Sequence, residues 1–590
     1  MAVGRLAARP VIARATYDGR VDASRRAAPI VQARPRADLS FDVVIVGSGA
    51  SGGWAAKRLT EAGLRVAVLE AGRSLTDADY REHVPAFELK YRGTHKAPLT
   101  RERPVQSGSY AVREWNSSWF VNDLDEPYVD ESDPAFLWVR PRVVGGRTNV
   151  WGRESLRISD LEFKAASHDG AGVDWPIGYA DIAPYYDLVE DYIGVQGMAE
   201  GLPGLPDGRF QPPMAMTCAE AALRTRIKNA FGRTLTQGRT ANLTRPTHGR
   251  QPCHLCGPCE HGCATHSYFN AAYTTMADAL ATGRCTLVTG AMAYKVLVDP
   301  DTRRATGVLY IDRATRQPRE IFARVVALCA QTQESTRILL NSTTRQDPNG
   351  LANSSGLVGR GLMTHFSDSG AVADLPEFTT TPTLSGPRRP CWPLLVSFRN
   401  LPGGPQEKAF QRGYAFGTYV STDVNRGAPG YGEAFKRAAT APQPARVTMQ
   451  GWGECLRYED NYVAVDAGTV DIFGIPVAKI HLTPRENERA MLADMAETAA
   501  EMLEAAGAKN IVQLHAARGQ AHELGTARMG TDPKTSVLTP FQQTHDIRNL
   551  FVMDGSGFPT SVWQNPTLTI MALAVRSCEF LEEQLRRGDL

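Results

Sequence analysis

The alternation of apolar and polar positions is clearest in residues 41–72, FDVVIVGSGASGGWAAKRLTEAGLRVAVLEAG. An apolar strand covers Phe41 to Val46 and runs into a glycine-rich turn. An amphipathic helix follows to about Ala62, and a second apolar strand covers Arg65 to Leu69. This order of strand, turn, helix and strand predicts a βαβ unit in a parallel sheet.

The turn in this unit has three glycines at the spacing G-x-G-x-x-G, and Glu70 ends the second strand. Gly47 permits the tight turn, Gly49 lets a pyrophosphate approach the backbone, and Gly52 lets helix and strand pack closely. The start of the helix offers N–H groups and a positive dipole end to phosphates. Glu70 can accept hydrogen bonds from a ribose hydroxyl, which argues against a 2′-phosphate. The pattern predicts a dinucleotide-binding site.

Two other patterns organise the rest of the chain. The segment RVVALCAQTQESTRILLNS reads as a buried strand turning into a helix, which predicts another βα unit of the nucleotide-binding domain. Residues 370–485 have strand composition interrupted by Pro, Gly and Asn turns, which predicts a mostly antiparallel sheet in a second domain. Amphipathic helices are predicted at 489–507 and from about Pro566.

Length and charge limit the functional classes. At 590 residues the chain is too long for one compact core, so we expect two domains or an elaborated one. A net charge of +2 gives no indication of nucleic acid as a partner, and no apolar run reaches the roughly 18 residues that span a bilayer. Residues 1–40 contain eight arginines and three acids. We expect a poorly structured basic arm, with a packed segment or a targeting segment as alternatives.

Four of the ten cysteines lie within eleven residues, namely Cys253, Cys256, Cys259 and Cys263. Their spacing matches the ligand run of bacterial iron–sulfur proteins, except that Ala264 stands where a proline is usual. A single run leaves one of the four in excess. Zinc could also bind these thiolates, with His254 and His261 nearby, and a metal-free structural role or disulfides remain open. We expect an iron–sulfur cluster.

Two later segments complete a family pattern. The middle of the chain contains GGRTNVWGR, and the C-terminal part contains an H-x-L-G motif, then MDGS, then NPTLTIMALA. Together with the opening motif, these segments resemble the glucose–methanol–choline (GMC) family of flavin oxidoreductases, from residue 41 to the C-terminus. The resemblance implies FAD and an α/β (α+β overall) fold with a discontinuous Rossmann-like FAD-binding domain and an antiparallel-sheet substrate domain. It also implies oxidation of alcohols to carbonyls by hydride transfer to flavin N5.

The resemblance also implies a division of the chain. The FAD-binding domain is expected in three parts, 41–160, 253–365 with the cysteine loop, and 521–590. A substrate or cap segment is expected at 161–252 and the substrate-binding domain at 366–520.

The resemblance assigns catalysis to His522 and Asn565. Oxidising an alcohol requires a base for the hydroxyl proton, and an ordinary histidine, with a pKa near 6.5, is neutral and basic at working pH. The amide of Asn565 can orient the hydroxyl without titrating. For a histidine without this motif, a structural role would be the simpler reading. A His–Asn pair resembles the pyranose-oxidase and sugar-dehydrogenase branch of the family.

Further FAD contacts follow from the same resemblance, at Gly145, Gly146, Asn149, Ala293, Asp554, Gly555, Pro566 and Thr567. Asn565-Pro566 also reads as the N-cap and first position of the final helix. That helix would aim its positive end at the flavin pyrimidine edge. Many relatives attach FAD through a histidine at the position of Val150. Since valine cannot form this bond, we expect noncovalent FAD.

The cysteine run resembles the C-x5-C-x3-C motif that holds a [3Fe–4S] centre in FAD-dependent sugar dehydrogenases. Cys253, Cys259 and Cys263 have that spacing, so Cys256 is the extra residue; a [4Fe–4S] cluster is the alternative. The chain looks most like bacterial glucoside 3-dehydrogenase catalytic subunits. We therefore expect oxidation of a secondary hydroxyl of a sugar or glycoside, with electrons passing onward through the cluster.

Partners and location are expected on the same basis. We expect a small accessory subunit and a cytochrome or quinone acceptor. The bacterial cytoplasm is the expected location, or the periplasm if a partner subunit carries the chain there. The alternatives are an oxidase that uses O2 with structural cysteines, and a flavoprotein sensor with no alcohol substrate, which the His–Asn pair disfavours.

Overall fold

The computed structural model describes residues 41–92, 97–257, 259–380, 388–401, 407–421, 428–519 and 521–590. The predicted basic arm, residues 1–40, lies outside these ranges. No helix among the described residues is both long enough and apolar enough to cross a membrane.

The first sheet contains the predicted βαβ unit. Its parallel strands lie in the order Cys285–Thr289, Val66–Glu70, Phe41–Val46, Pro318–Leu328 and Leu550–Val552. The first half of the long strand Pro318–Leu328 instead pairs with an antiparallel extension, Ala305–Asp312 and then Ala291–Val298. Val43, Val44 and Ile45 are fully buried. A strand buried on both faces requires helices on either side of the sheet.

Helices cover this sheet. The helix Ala50–Glu61 contacts both Thr275–Ala281 and the final helix Thr567–Arg587, which also contacts Tyr179–Ile193. The helix Thr332–Asn341 follows the long strand, so RVVALCAQTQESTRILLNS is a βα unit as predicted. The sequence CTLVTGAMAYKVLVD forms two strands, because Gly290 takes a φ of +68° between them.

The second sheet is antiparallel and comes mainly from the second half of the chain. Its strands lie in the order Lys509–Leu514, Phe366–Thr380, Gln443–Gly453, Tyr414–Ser421, Leu394–Leu395 and Leu235–Thr236, and Arg518–Gly519 also pairs with Phe366–Thr380. The helix Glu486–Ala505 packs on this sheet. Its apolar stripe includes Met491, Met495 and Met502, which are buried.

A third, smaller sheet differs from the sequence-based expectation. The segment VAKIHLT has strand composition, but its strand Pro476–His481 pairs with Tyr462–Val470 and Val129–Asp130 rather than with the large antiparallel sheet. This hairpin contacts the helix Thr332–Asn341 of the nucleotide-binding part. Val477 and Ala478 are both buried, which shows that both faces of the strand are covered. Strand composition does not specify which sheet a strand joins.

Short elements complete the chain. The remaining α-helices are Ala97–Glu102, Asp160–Phe163, Ala165–Asp169, Cys218–Phe231 and Gly432–Thr440. The 3-10 turns are Asp77–Asp79, Ala86–Glu88, Gln106–Gly108, Ser117–Trp119, Gly146–Asn149, Cys259–His261 and Gly555–Gly557.

Candidate active site

A cavity of about 1260 Å3, including open solvent at its mouth, lies at the carboxyl ends of the parallel strands. Four of the five ends contribute to the wall: Gly47 follows Phe41–Val46, Glu70 ends Val66–Glu70, Cys329 follows Pro318–Leu328, and Asp554 lies just after Leu550–Val552. In open parallel sheets this edge is where ligands bind. The predicted residues that line the cavity are Gly47, Gly49, Glu70, Gly146, Ala293, His522, Asp554, Gly555, Pro566 and Thr567.

The glycine-rich turn has the geometry of a phosphate cradle. Gly47 has a φ of +99°, and a Cβ there would lie 2.4 Å from the carbonyl oxygen of Cys329. A Cβ on Gly52 would lie 1.9 Å from the carbonyl oxygen of Gly47, so this glycine allows close packing. At Gly49 the nearest atom would be 3.9 Å away, which leaves space beside the backbone. No side chain in the described structure caps the helix Ala50–Glu61. Its first N–H groups, which lie at the cavity, therefore have no side-chain acceptor.

Ser48 connects two of the predicted cofactor segments. Its hydroxyl donates to Glu70 Oε2 at 2.6 Å and accepts from the backbone N–H of Gly145 at 3.0 Å. The other carboxylate oxygen, Glu70 Oε1, accepts from the N–H of Gly72 at 2.8 Å. Glu70 is therefore held at the cavity wall, with lone pairs left to accept hydroxyl protons.

Three of the predicted cofactor contacts do not line the cavity. Gly52 lies inside the helix, and Gly145, with a φ of +87°, supports the turn behind the wall. The side chain of Asn149 is directed into its own loop, where it donates to the carbonyl oxygens of Val144 and Gly146 at 3.0 and 2.9 Å. These hydrogen bonds make Asn149 a support for the loop rather than part of the cavity wall.

His522 lines the cavity, and Asn565 lies beside it but is not among the lining residues. The Nδ2 atom of Asn565 lies 3.4 Å from His522 Nε2, and Asn565 Oδ1 is buried without a hydrogen-bond partner in the described part of the chain. On the other side of the ring, His522 Nδ1 lies 2.8 Å from His365 Nδ1. His365 is buried, and its Nε2 bonds to the carbonyl oxygen of Val562.

Burial and, to a smaller extent, the positive charge of Arg147 together lower the pKa of His522 to about 4. Burial and the neighbouring His522 also hold the pKa of His365 well below its usual range. Both rings are therefore neutral at neutral pH. A neutral imidazole at the cavity wall can accept a proton from a hydroxyl group.

Three residues at this site were not identified from the sequence. His365 ends the segment GLMTH, Arg147 lies in the GGR motif, and Gln331 lines the cavity with a φ of +79°. Arg147 donates to both carboxylate oxygens of Glu523, next to His522, at 2.5 and 2.8 Å. The paired glycines marked the loop of Arg147, but no sequence pattern marked its partner.

Comparison with known proteins identifies the family. The N-terminal part of the GMC oxidoreductase family matches residues 41–367, and its C-terminal part matches residues 458–574. These two segments cover more than half of the chain. The chain belongs to the GMC oxidoreductase family.

Relatives of this GMC oxidoreductase include dehydrogenases and oxidases. It is 29 % identical to 2-methyl-1,2-propanediol dehydrogenase of Mycolicibacterium austroafricanum (92 % of this chain, 95 % of the relative) and 30 % identical to paromamine 6′-oxidase of Streptomyces fradiae (92 % and 91 %). It is 26 % identical to the fructose dehydrogenase large subunit of Gluconobacter japonicus (93 % and 99 %). The crystal structure of pyridoxine 4-oxidase from Mesorbium loti superimposes with a TM-score of 0.61 at 17 % identity, over 92 % of this chain and 99 % of that one. This last likeness supports the α/β GMC fold.

GMC oxidoreductases bind FAD, and the residues of this chain fit that cofactor. The uncapped helix start at Gly49 suits the diphosphate, Glu70 suits a ribose, and the cavity continues to His522. The final helix begins at Thr567 with Pro566 as its cap, one residue later than expected, and no described side chain caps it. Its positive end therefore lies at the cavity wall.

One of the four clustered cysteines, Cys259, is linked to the cavity wall through Arg153. Trp151 lines the cavity, and Arg153, two residues later, is fully buried and interacts electrostatically with Cys259. In the described structure all ten cysteines of this GMC oxidoreductase are free thiols, which excludes the disulfide alternative there. The sulfurs of Cys253 and Cys263 accept from the backbone N–H groups of Leu255 and Ser267, at 3.4 and 3.3 Å.

These thiols are not gathered around a single ion. Within the described ranges, the one group whose ligand atoms lie within 4.8 Å of one another is His83, His254 and Cys256. Burial raises the pKa of Cys256 to about 11 and that of Cys259 to about 12. The arrangement therefore does not match the four-thiolate zinc site considered from the sequence. Cys256 has these two histidines beside it, and it also interacts electrostatically with Cys253 and Cys263.

Proposed function

We propose that this GMC oxidoreductase is an FAD-dependent dehydrogenase that oxidises a secondary hydroxyl of a sugar or glycoside to a ketone. The observation that carries the proposal is the His522–Asn565 pair at the end of the flavin cavity, with 3.4 Å between His522 Nε2 and Asn565 Nδ2. A hydroxyl group placed against both side chains, off the line that joins their nitrogens, can donate to the ring nitrogen and accept from the amide. That is the arrangement a general base requires.

In the proposed reaction, His522 Nε2 removes the hydroxyl proton of the substrate. The amide of Asn565 orients the hydroxyl oxygen, and Arg147 holds the His522 segment through Glu523. Bound FAD supplies the acceptor for the hydride that leaves the same carbon. The substrate becomes a ketone, its hydride passing to the bound FAD, and the His522 ring holds the released proton as an imidazolium until solvent removes it.

We also propose that FAD is bound without a covalent link. Val150 occupies the position of the linking residue, and its side chain is buried and offers no nucleophile. Glu70 and the turn of Gly47 and Gly49 would hold the adenosine and diphosphate, while Asp554, Gly555 and the start of the final helix would hold the ribityl and flavin end.

The sugar assignment rests on the resemblance and on the relatives. The fructose dehydrogenase large subunit aligns with nearly the whole chain, and its name indicates a multi-subunit sugar dehydrogenase. By analogy, we propose a small accessory subunit and a cytochrome or quinone acceptor. The chain would then act in the bacterial cytoplasm, or in the periplasm when a partner subunit carries it there.

An iron–sulfur relay is part of the proposal. Cys253, Cys259 and Cys263 interact electrostatically with one another, and the first and last have N–H···S bonds of the kind that surround cluster sulfurs. Cys256 also interacts with Cys253 and Cys263 and lies beside His83 and His254, so the preference for a three-cysteine [3Fe–4S] site over a [4Fe–4S] site rests on the C-x5-C-x3-C spacing of the other three. A cluster there would supply one-electron transfer close to Trp151 on the cavity wall.

The second candidate is an oxidase that passes electrons to O2, with the cysteines in a structural role. The relative that favours it is paromamine 6′-oxidase, which matches over a similar length.

Anaerobic mixing of the FAD-loaded protein with a panel of sugars and alkyl glycosides tests the main proposal. We expect flavin bleaching, a ketone product, and transfer to a one-electron acceptor faster than to O2. Bleaching only by primary or non-sugar alcohols would refute the substrate class, and fast peroxide formation would favour the oxidase.

A further inference from the structure

We propose that His365 is a positioning residue for His522: it accepts a hydrogen bond from His522 Nδ1 and so keeps His522 Nε2 unprotonated toward the substrate. This inference rests on the proposed function, because it requires His522 as the base. His365 itself does not line the cavity.

Strand pairing places the two rings opposite each other. Met363 and Leu524 form an antiparallel bridge, with N–H···O bonds of 3.0 and 2.9 Å in the two directions. In an antiparallel pair, moving two residues forward from Met363 and two residues back from Leu524 brings His365 opposite His522, on the same face of the pair. The observed distance of 2.8 Å between the two Nδ1 atoms agrees with this register.

The hydrogen bonds of His365 determine which nitrogen carries each proton. The carbonyl oxygen of Val562 can only accept, so His365 Nε2 must be the protonated nitrogen that donates to it. A neutral ring carries one such proton, so His365 Nδ1 is a lone-pair acceptor. The proton between the two Nδ1 atoms therefore belongs to His522. A neutral His522 with its proton on Nδ1 has its lone pair on Nε2, where the Asn565 amide is the neighbouring donor.

This orientation has a chemical consequence. The Nε2 atom of His522 is the one beside Asn565, where the substrate hydroxyl is proposed to lie. When His522 takes the hydroxyl proton, its Nδ1–H still donates to His365, so the imidazolium keeps a hydrogen-bond partner. Because His365 is neutral, it provides this partner without adding a negative charge next to the flavin site.

His365 also connects the two segments of the active site. Its bond to Val562 reaches the segment that leads to Asn565, three residues later, while its other nitrogen reaches His522. One buried ring therefore sets the relative position of both proposed catalytic side chains.

Two isosteric substitutions separate proton placement from space filling. In His365→Asn the amide oxygen can occupy the position of Nδ1 and accept from His522. In His365→Gln the side chain is closer in size to histidine, and its amide reaches the position of Nε2 and keeps the contact with Val562. This side chain offers no acceptor to His522 Nδ1. The control is His545→Asn, since His545 bonds to Ser536 Oγ at 2.9 Å and does not line the cavity.

The measurements are the rate of anaerobic flavin reduction, its pH profile and the FAD content of the full chain. We expect His365→Gln to lower the rate about 10–10³-fold with FAD retained, and His365→Asn to lower it less than about fivefold. In the profile of reduction rate against pH, the midpoint of the fall at low pH (the acid limb) should not rise in His365→Gln. The control should match the unmodified protein.

Other outcomes are decisive in the opposite direction. Equal losses in the Asn and Gln variants, or a better-preserved Gln variant, would show that His365 only fills space. An acid limb that moves up toward 6.5 in both would show that water has entered a loosened site, because burial is the main cause of the low pKa of His522. If the His522→Ala variant reduced flavin at the normal rate, His522 would not be the base. The proposed function of this residue would then be refuted, and the role of His365 with it.

Discussion

Arg147 and Glu523 form a two-point ion pair across the flavin cavity, with N···O distances of 2.5 and 2.8 Å. The pair joins the loop after the paired glycines to the residue next to His522. Arg147 also donates to the carbonyl oxygen of Ala521 at 3.1 Å, so its guanidinium holds both neighbours of His522. A planar, two-point contact of this kind fixes orientation as well as distance.

The first prediction concerns this ion pair. Arg147→Met should destabilise the protein by about 2–3 kcal/mol, because the Glu523 carboxylate, only 2 % exposed, loses its partner. Arg147→Met combined with Glu523→Gln should recover most of that loss, since no buried charge is then left unpaired. Urea unfolding at neutral pH measures both effects. Additive losses in the double variant would show that the pair contributes nothing as a unit.

The second prediction concerns the proposed base. His522→Ala should lower the rate of flavin reduction by about 10²–10⁴, the usual contribution of a general base, while FAD stays bound. Asn565→Ala should lower it less, because the variant loses orientation and one hydrogen bond but keeps the proton acceptor. Stopped-flow absorbance under anaerobic conditions measures both. Near-normal reduction in His522→Ala would place the base elsewhere.

The third prediction concerns pH. Since the pKa of His522 is lowered to about 4, the reduction rate should be constant from about pH 5 upward and fall about tenfold per unit below 4. An exposed histidine would instead lose activity below about 6.5. A measured acid limb near 6.5 would contradict the buried, neutral state of the ring.

The same pKa shift predicts a stability change. The folded pKa lies below that of the unfolded chain, so the unfolded chain binds more protons between about pH 6.5 and 4. The contribution of His522 to stability is present above that window and is lost as the pH falls through it. In His522→Asn, thermal unfolding should therefore depend less on pH in this range. An unchanged slope would assign the pH dependence to other groups.

The fold followed from local patterns where those patterns were complete. Gly47, Gly49 and Gly52 with their flanking strands identified the nucleotide-binding unit, because turn, dipole and packing requirements all fall within 32 residues. The hairpin that contains VAKIHLT was assigned to the wrong sheet. Its strands were visible from composition, but their partner, Val129–Asp130, is more than 300 residues away in sequence.

The site could be predicted less completely for the same reason. His522 and Asn565 belong to a motif that the sequence displays, and the structure places them together. His365 could not be identified, because its role depends on the register between Met363 and Leu524, and no local pattern encodes that pairing. Asn149 lies in the expected loop, but only its hydrogen bonds to Val144 and Gly146 show which way its side chain points.

The fourth prediction concerns the attachment of FAD. Acid or heat denaturation should release all the yellow colour into the supernatant, because Val150 has no group that can bond to the flavin. The absorbance of supernatant and pellet near 450 nm measures the partition. Val150→His is the matched variant, since it restores the residue type found at this position in covalently linked relatives. Colour retained in the pellet of the unmodified protein would show that another residue forms the bond.

The last prediction separates dehydrogenase from oxidase through the cysteines. Cys253→Ser, Cys259→Ser and Cys263→Ser should each leave sugar-dependent flavin bleaching largely intact but abolish electron delivery to a cytochrome. Hydride transfer requires only the flavin cavity, whereas onward transfer requires a relay beside it. Cys256→Ser should be milder if the cluster is of the three-iron kind, because Cys256 is the cysteine left over by the C-x5-C-x3-C spacing.

Iron and sulfide analysis of the same purified variants connects the kinetics to the cluster. We expect the unmodified protein and Cys256→Ser to contain iron and acid-labile sulfide, and the other three variants to lose both. Cys391→Ser is the matched control, because Cys391 is a buried free thiol that lies outside the run of four. The relay would be refuted if all five variants and the unmodified protein formed peroxide from O2 at the same rate and none of them contained iron. That result would identify the protein as an oxidase. Loss of bleaching in the Cys253, Cys259 and Cys263 variants would instead show that these thiols support the fold of the flavin cavity, since hydride transfer itself does not use them.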